Sequence, residues 1–243
     1  MANIFLKKKA VFVWSGGKDS ALALYQILQD ANYQVTHLLT TVNQQLNRVT
    51  MHGVRTSLLA QQAQALQLPL VQVRVPENPS MAEYEQVMAA AFQQLKDTGV
   101  TVAVFGDIFL EDLRAYREQQ MQQIGLQAVF PLWQKSTTAL INQFVQLKFK
   151  AVLVCLHAAY FPETYAGQEI NADFLKNLPA SVDPCGENGE YHSFVYDGPI
   201  FGHPVNFTRG ETLLRTYAPP KNQSTENTAD PDPPYSFWFI DLK

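Results

Sequence analysis

Apolar and polar positions fall into blocks along the first 135 residues, and each block has the length and period of one element. The apolar run Ala10-Val11-Phe12-Val13-Trp14 reads as a strand, and Ala21-Leu22-Ala23-Leu24-Tyr25-Gln26-Ile27-Leu28 as the helix after it. Gln34 to Val42, rich in β-branched and apolar residues, predicts a second strand. Leu58, Leu59, Ala63 and Leu66 recur at helical spacing, and Leu70 to Val75 predicts a third strand stopped by Pro76. Met81, Tyr84, Met88, Ala91, Phe92 and Leu95 form a helical stripe closed by Gly99. Thr101 to Phe105 predicts a fourth strand, Leu113 to Ile124 a helix, and Gln127 to Phe130 a short fifth strand. Strands alternating with helices imply right-handed crossovers and a mainly parallel five-stranded sheet. That is a Rossmann-like α/β fold, whose ligands collect beyond the carboxyl ends of the strands.

Past Pro131-Leu132-Trp133 the pattern changes to a helix around Leu140 to Leu147, the apolar run Ala151 to Leu156, and then mixed polar sequence. The expected division is a nucleotide-binding domain over residues 1–135 and a smaller α+β domain over 136–243. The proline-rich, polar stretch Pro219 to Pro234 predicts a mobile loop, and Tyr235 to Ile240 a returning strand.

Composition narrows the class. With 47% hydrophobic and 16% charged residues the chain is globular rather than disordered. Its net charge of −4 is uneven: residues 1–135 hold 11 Lys+Arg against 10 Asp+Glu, and residues 136–243 hold 7 against 12. An acidic second part argues against a protein that holds long nucleic acid mainly by its phosphates. Cys155 and Cys185, thirty residues apart, match neither a disulfide framework nor paired C-x-x-C zinc spacing, so a cytoplasmic setting is expected. Lys7-Lys8-Lys9 precedes an apolar run too short for a signal peptide, and no stretch reaches transmembrane length, so no membrane partner is expected.

The candidate chemistry begins at Ser15-Gly16-Gly17-Lys18-Asp19-Ser20, between the first strand and the first helix. Two glycines permit a tight turn that brings backbone N–H groups close to a ligand, and the helix points its positive end at the same place. Such a turn attracts phosphate. Lys18 adds a mobile charge, Ser15 and Ser20 add hydroxyls, and Asp19 can cap the helix or help hold magnesium. A Walker loop would need glycine where the chain has Phe12 and Ser or Thr where it has Asp19, and there is no G-x-G-x-x-G. The six residues instead resemble the S-G-G-x-D-S loop of the PP-loop ATP pyrophosphatases, which cleave ATP between its α- and β-phosphates. Two further strand ends are candidates: Thr40-Thr41 at the second, and Gly106-Asp107 at the fourth, where Asp107 is either a turn residue or a magnesium ligand. His52 and Arg55, near the second strand's exit, are either a polar pair at a helix start or ligands for phosphate or a substrate carboxylate.

Glu187-Asn188-Gly189-Glu190-Tyr191-His192-Ser193 concentrates acceptors and an imidazole where glycines allow close approach. Together with the first loop, Met51-His52-Gly53-Val54-Arg55, Gly106-Asp107-Ile108 and Pro131-Leu132-Trp133, in that order, it resembles the diphthine-ammonia ligase family over about residues 9–202. Asn188 and Ser193 depart from the commoner Gly and Thr of the family's later motif. The resemblance implies a ligase that uses ATP and magnesium to adenylate a carboxylate, releases pyrophosphate, and forms an amide with ammonia or an amine. It assigns ATP to the first loop and the substrate to the later motif. Glu187, Glu190 and His192 are expected to face the first loop across the domain junction, since an acidic, glycine-bearing turn has little reason to form a core, and with Lys18 and Asp107 to be the catalytic residues. The alternatives are a PP-loop tRNA-modifying enzyme and a non-catalytic ATP sensor. Cys155 lies in an apolar run and Cys185 lies beside carboxylates that disfavour a thiolate, so free ammonia rather than glutamine is the expected nitrogen source. A homo-oligomer is compatible with all of this.

Overall fold

The computed structural model describes residues 6–49, 53–76, 79–217 and 235–243. His52 and the proline-rich stretch 219–234 therefore lie outside the described residues. In chain order the elements of the first half are β1 (Lys8–Val13), α1 (Lys18–Gln29), β2 (Tyr33–Asn43), β3 (Arg48–Val49), α2 (Thr56–Ala65), β4 (Leu70–Val75), α3 (Met81–Asp97), β5 (Val102–Val104), α4 (Glu111–Ile124) and β6 (Gln127–Val129). The second half adds α5 (Thr137–Gln146), β7 (Lys150–His157), α6 (Ala172–Lys176), β8 (Tyr191–Asp197), β9 (Arg209–Tyr217) and β10 (Tyr235–Leu242).

Five strands run parallel in the order β4-β2-β1-β5-β6, and the short β3 adds an antiparallel sixth against the end of β2. The chain builds outward from β1 on one side, then crosses to its other side at β5. The carboxyl end of β1 is thus the switch point where such sheets open a crevice. Successive residues of the central strands alternate between two cores. Ala10, Phe12, Leu38, Val102 and Val104 join one with residues of α1, α2 and α5. Val11, Leu39 and Ala103 join the other with Ala91, Phe92 and Leu95 of α3 and Met121 of α4. Burial on both faces is why these strands read as unbroken apolar runs. Each fully buried large side chain, such as Phe12, contributes about 1.5–3 kcal/mol.

The second half forms a separate antiparallel sheet in the order β8-β7-β10-β9. Its Ala151 to Val154 and Phe194 belong to the same core as β1 and α1, so the change of sheet near residue 136 is not a break in the hydrophobic interior. Thr40 and Thr41 lie inside β2, which continues to Asn43, and not in a loop after it. The second motif is not wholly a turn either, since β8 begins at Tyr191. α3 opens with a reciprocal capping box between Ser80 and Glu83 and is followed by Gly99 at φ +93°. Among the described residues no helix is long and apolar enough to cross a membrane.

Two arginines from the first half clasp one carboxylate of the second. Asp241 on β10 accepts from Arg55 at 2.7 and 3.0 Å and from Arg48 at 2.8 Å. Of the two readings of Arg55, a polar residue at a helix start or a ligand for phosphate or a substrate carboxylate, the structure shows the side chain bound to a carboxylate of its own chain. Its fork is already filled by Asp241, the bidentate geometry that suits a guanidinium. These bonds, Arg55's foremost, hold the Asp241 carboxyl down at about 2, below the ordinary 3.8. A depressed acid pKa stabilises the fold above the unfolded value and loses that contribution as pH falls through the folded one. Thermal melts recorded from pH 5 to pH 2 should thus contain a component that Asp241→Asn removes, and the variant should melt lower at pH 7.

Candidate active site

The turn Ser15 to Ser20 leaves β1 where Trp14 N–H donates to Leu39 carbonyl at 2.7 Å. Gly16 has φ +82°, and a Cβ there would lie 2.9 Å from Gln62 Oε1, so both conformation and space demand glycine. Gly17 is the N-cap of α1 and has no side chain to cap the helix; its own N–H donates to Ser15 Oγ at 3.3 Å. The serine hydroxyls brace the turn internally: Ser15 Oγ donates to Ser20 Oγ at 3.0 Å, and Ser20 Oγ to Gly17 carbonyl at 2.9 Å. A Cβ at Gly106 would lie 3.3 Å from Ser20 Cα and N, so that glycine lets the end of β5 pack on the start of α1.

The edge strand β8 closes the turn from the other sheet. Val195 N–H donates to Gly16 carbonyl at 2.9 Å and Lys18 N–H to Ser193 Oγ at 3.1 Å. Gln62, fully buried in α2, joins three segments. Its Nε2 donates to Gly16 carbonyl at 3.0 Å and Val195 carbonyl at 2.5 Å, while its Oε1 accepts from Trp14 Nε1 at 2.9 Å. The sequence reading passed over Gln62, although it falls within the apolar stripe Leu58, Leu59, Ala63 and Leu66. A polar residue there signals a buried partner.

Charge converges on Lys18, which is buried. Its Nζ pairs with Asp19 Oδ2 at 2.7 Å and lies 4.9 Å from the centre of the Tyr191 ring. Burial alone would lower its pKa, but the attraction of Asp19, with smaller contributions including Glu187, holds it above the ordinary value. Asp107 is pushed up by burial against the attraction of Arg117, with Asp19 adding to the rise. Its carboxylate is ion-paired with Arg117, Oδ2 standing 2.8 Å from Arg117 Nε and Oδ1 accepting from Nη2 at 3.2 Å. Glu187 rises to about 8 through burial and the charges of Asp19, Asp183 and Asp107, opposed by Lys18. His192 is pushed down to about 4 by burial and by Lys18, so its imidazole is neutral at pH 7.

Glu190 differs from its neighbours and corrects the expectation that its carboxylate faces the nucleotide turn. Its side chain is buried and folds back on its own segment, accepting from Asp183 N–H at 2.9 Å, Asn188 N–H at 2.9 Å and Asn188 Nδ2 at 3.1 Å. Tyr191 OH donates to Pro184 carbonyl at 2.5 Å and tightens the same turn. Glu190 shapes the turn that presents Glu187. Thr40 is buried in β2 and Thr41 half-buried, both just past the end of β1. Both cysteines are buried. Burial pushes Cys155 to about 12 and Cys185 higher still, and Cys185 Sγ donates to Thr137 carbonyl at 3.3 Å. Neither is a thiolate at neutral pH.

A parallel sheet with a glycine turn at its switch point, closed by a second antiparallel sheet, defines an α/β protein of the PP-loop type. Residues 8–128 match the family description "Diphthamide synthase N-terminal domain" and residues 136–216 match "Diphthamide synthase C-terminal domain", and the chain belongs to this family. Its similarity to proteins named diphthine–ammonia ligase is 23% identity with that of Mus musculus, covering 83% of this chain and 84% of the other. With that of Danio rerio it is 24%, covering 86% and 89%. The Schizosaccharomyces pombe protein of that name is 30% identical over 40% of this chain and 16% of its own length. A crystal structure described as a predicted subunit of tRNA methyltransferase from Methanocaldococcus jannaschii superposes with a TM-score of 0.41 at 18% identity, covering 77% of this chain and 96% of that one. That superposition is too loose to bear on function.

The two glutamates of the second motif should separate on substitution. Glu190→Gln puts an amide N–H₂ where an oxygen now accepts N–H, and is expected to lower stability by about 1–3 kcal/mol in urea denaturation. Glu187→Gln removes a carboxylate whose ionisation folding disfavours. It should leave stability unchanged or raise it at pH 8.5, above the Glu187 value of about 8.

Proposed function

We propose that the chain cleaves ATP to AMP and pyrophosphate, activates a carboxylate as its adenylate, and amidates it with ammonia. The observation that carries this reading is the glycine turn at the start of α1, with the buried Lys18 ammonium paired to Asp19 and near Glu187, whose carboxyl also feels Asp19 and Asp107. The backbone N–H groups of the turn and the start of α1 would take the phosphates, and Lys18 would leave Asp19 to meet the charge that grows on the departing pyrophosphate. Asp107, with Asp19 nearby, would hold a divalent cation beside the phosphates if its carboxylate turned from Arg117. Magnesium keeps water and phosphate oxygens in its shell, so one or two protein carboxylates would suffice. When bound, magnesium would neutralise charge on the phosphates.

Residues 1–135 would then be the nucleotide half and residues 136–243 the substrate half, joined by β8. The ionised form of Glu187, the minor one at pH 7, would take the proton released as ammonia attacks the acyl carbon and AMP departs. Buried, neutral Cys155 and Cys185 are consistent with ammonia rather than a glutamine-derived thioester as the nitrogen source. The chain's net charge of −4 favours a small molecule or a protein side chain over long RNA as the acyl substrate.

Phosphorus NMR of the products tests the central step. AMP and pyrophosphate are expected, while ADP with orthophosphate, or ATP left intact in the presence of a competent carboxylate, would refute it. Lys18→Ala should lower turnover by about 10²–10³, the cost of losing one preorganised charge-stabilising donor. Its far-UV circular dichroism should match the parent's.

A further inference from the structure

We infer that β9 is the self-association edge of this protein, pairing antiparallel with β9 of a second copy about a two-fold axis at Leu213. The strand closes one end of the β8-β7-β10-β9 sheet, and among the described residues nothing pairs with its outer side. It is nine residues long, and side chains on both of its faces are exposed. Leu213 is 52% exposed, Leu214 49% and Tyr217 46%. A long edge with apolar groups on both faces is a template for another strand. Soluble proteins protect such an edge with central lysines, prolines or a covering element, and the sequence Arg209-Gly210-Glu211-Thr212-Leu213-Leu214-Arg215-Thr216-Tyr217 has neither lysine nor proline.

The charges in the strand choose both the occupant and the register. An antiparallel pair about a two-fold axis sets residues equidistant from the axis directly opposite each other on the same face. With the axis at Leu213, Leu213 meets its own copy and Glu211 of each chain meets Arg215 of the other, while the Arg209 guanidinium stays on Gly167 carbonyl of its own chain. On the second face Leu214 meets Thr212. Moving the axis to Thr212 opposes Arg209 to Arg215. Placing it at Glu211 or Arg215 opposes identical charges, and placing it at Leu214 gives no ion pair. Among the described residues Glu211 and Arg215 take part in none of the chain's own ion pairs, and the Arg215 guanidinium lies over the Phe239 ring at 5.7 Å on the face it shares with Glu211 and Leu213. The result is a continuous eight-stranded sheet, four strands from each copy.

Sedimentation equilibrium of the full chain at micromolar concentration should give a dimer. Glu211→Lys and Arg215→Glu, each alone, should raise the dimer Kd tenfold or more. An equimolar mixture of the two variants should dimerise again, because every cross-strand pair then joins opposite charges. A monomeric parent chain would overturn the inference, and so would a dimer indifferent to both reversals. Failure of the mixture to recover would equally overturn it. Circular dichroism of each variant distinguishes lost pairing from lost fold. A stable monomer whose β9 amides are nonetheless protected from hydrogen exchange would mean that another segment or partner covers the edge, and would also refute the dimer.

Discussion

The carbonyl of Gly16 is the point on which the two sheets meet. It accepts from Val195 N–H of the antiparallel sheet and from Gln62 Nε2 of α2, and the same glutamine reaches Val195 carbonyl. An outer strand must place its N–H and C=O groups somewhere, and β8 places part of its free edge on the glycine turn. The turn in turn gains a fixed wall, with Ser193 accepting the N–H of Lys18. Removing either partner would leave buried polar groups unpaired, at about 1–3 kcal/mol each. This reciprocity explains why the first half and the second half share one hydrophobic core although each has its own sheet.

Charge at the junction is out of balance in a directed way. Lys18 faces Asp19 and Glu187, Glu187 also feels Asp183 and Asp107, and Arg117 pairs with Asp107. Burial first, and then the surrounding negative charge of Asp19, Asp183 and Asp107, raises the pKa of Glu187. Polyphosphate would be repelled from such a cluster unless a cation accompanied it. Under the proposed function, the phosphate-attracting turn and the excess of carboxylates are two requirements of one ligand, nucleotide with its metal.

Around that cluster many of the motif residues are structural. Ser15 and Ser20 brace the turn, Gly106 admits a close helix, Glu190 ties its own loop, and Arg55 binds Asp241. A motif records residues that a site cannot do without, and holding a loop in shape is one such need. The relatives at 22–24% identity named diphthine–ammonia ligase are similar to this chain over most of its length.

The parallel sheet was legible along the chain because its strands are buried on both faces, and a continuous apolar run bounded by a turn is a local signal. The glycine turn was legible for a similar reason, since its residues lie side by side in sequence and impose their own geometry. β8 was not. Its His192 and Ser193 give it a polar pattern that reads as loop, and it is a strand because β7 pairs with it and the glycine turn caps its edge. β9, with nearly every side chain exposed, had no burial pattern to betray it. The roles of Gln62, Glu190 and Arg55 also came from the tertiary structure. Gln62 bonds a residue 133 positions away, Lys18 N–H one 175 away, and Arg55 one 186 away. A hydrogen-bonding side chain has its partner fixed by which backbone groups the packing leaves unsatisfied nearby. That is a property of the assembled interior, and it leaves no period in the sequence.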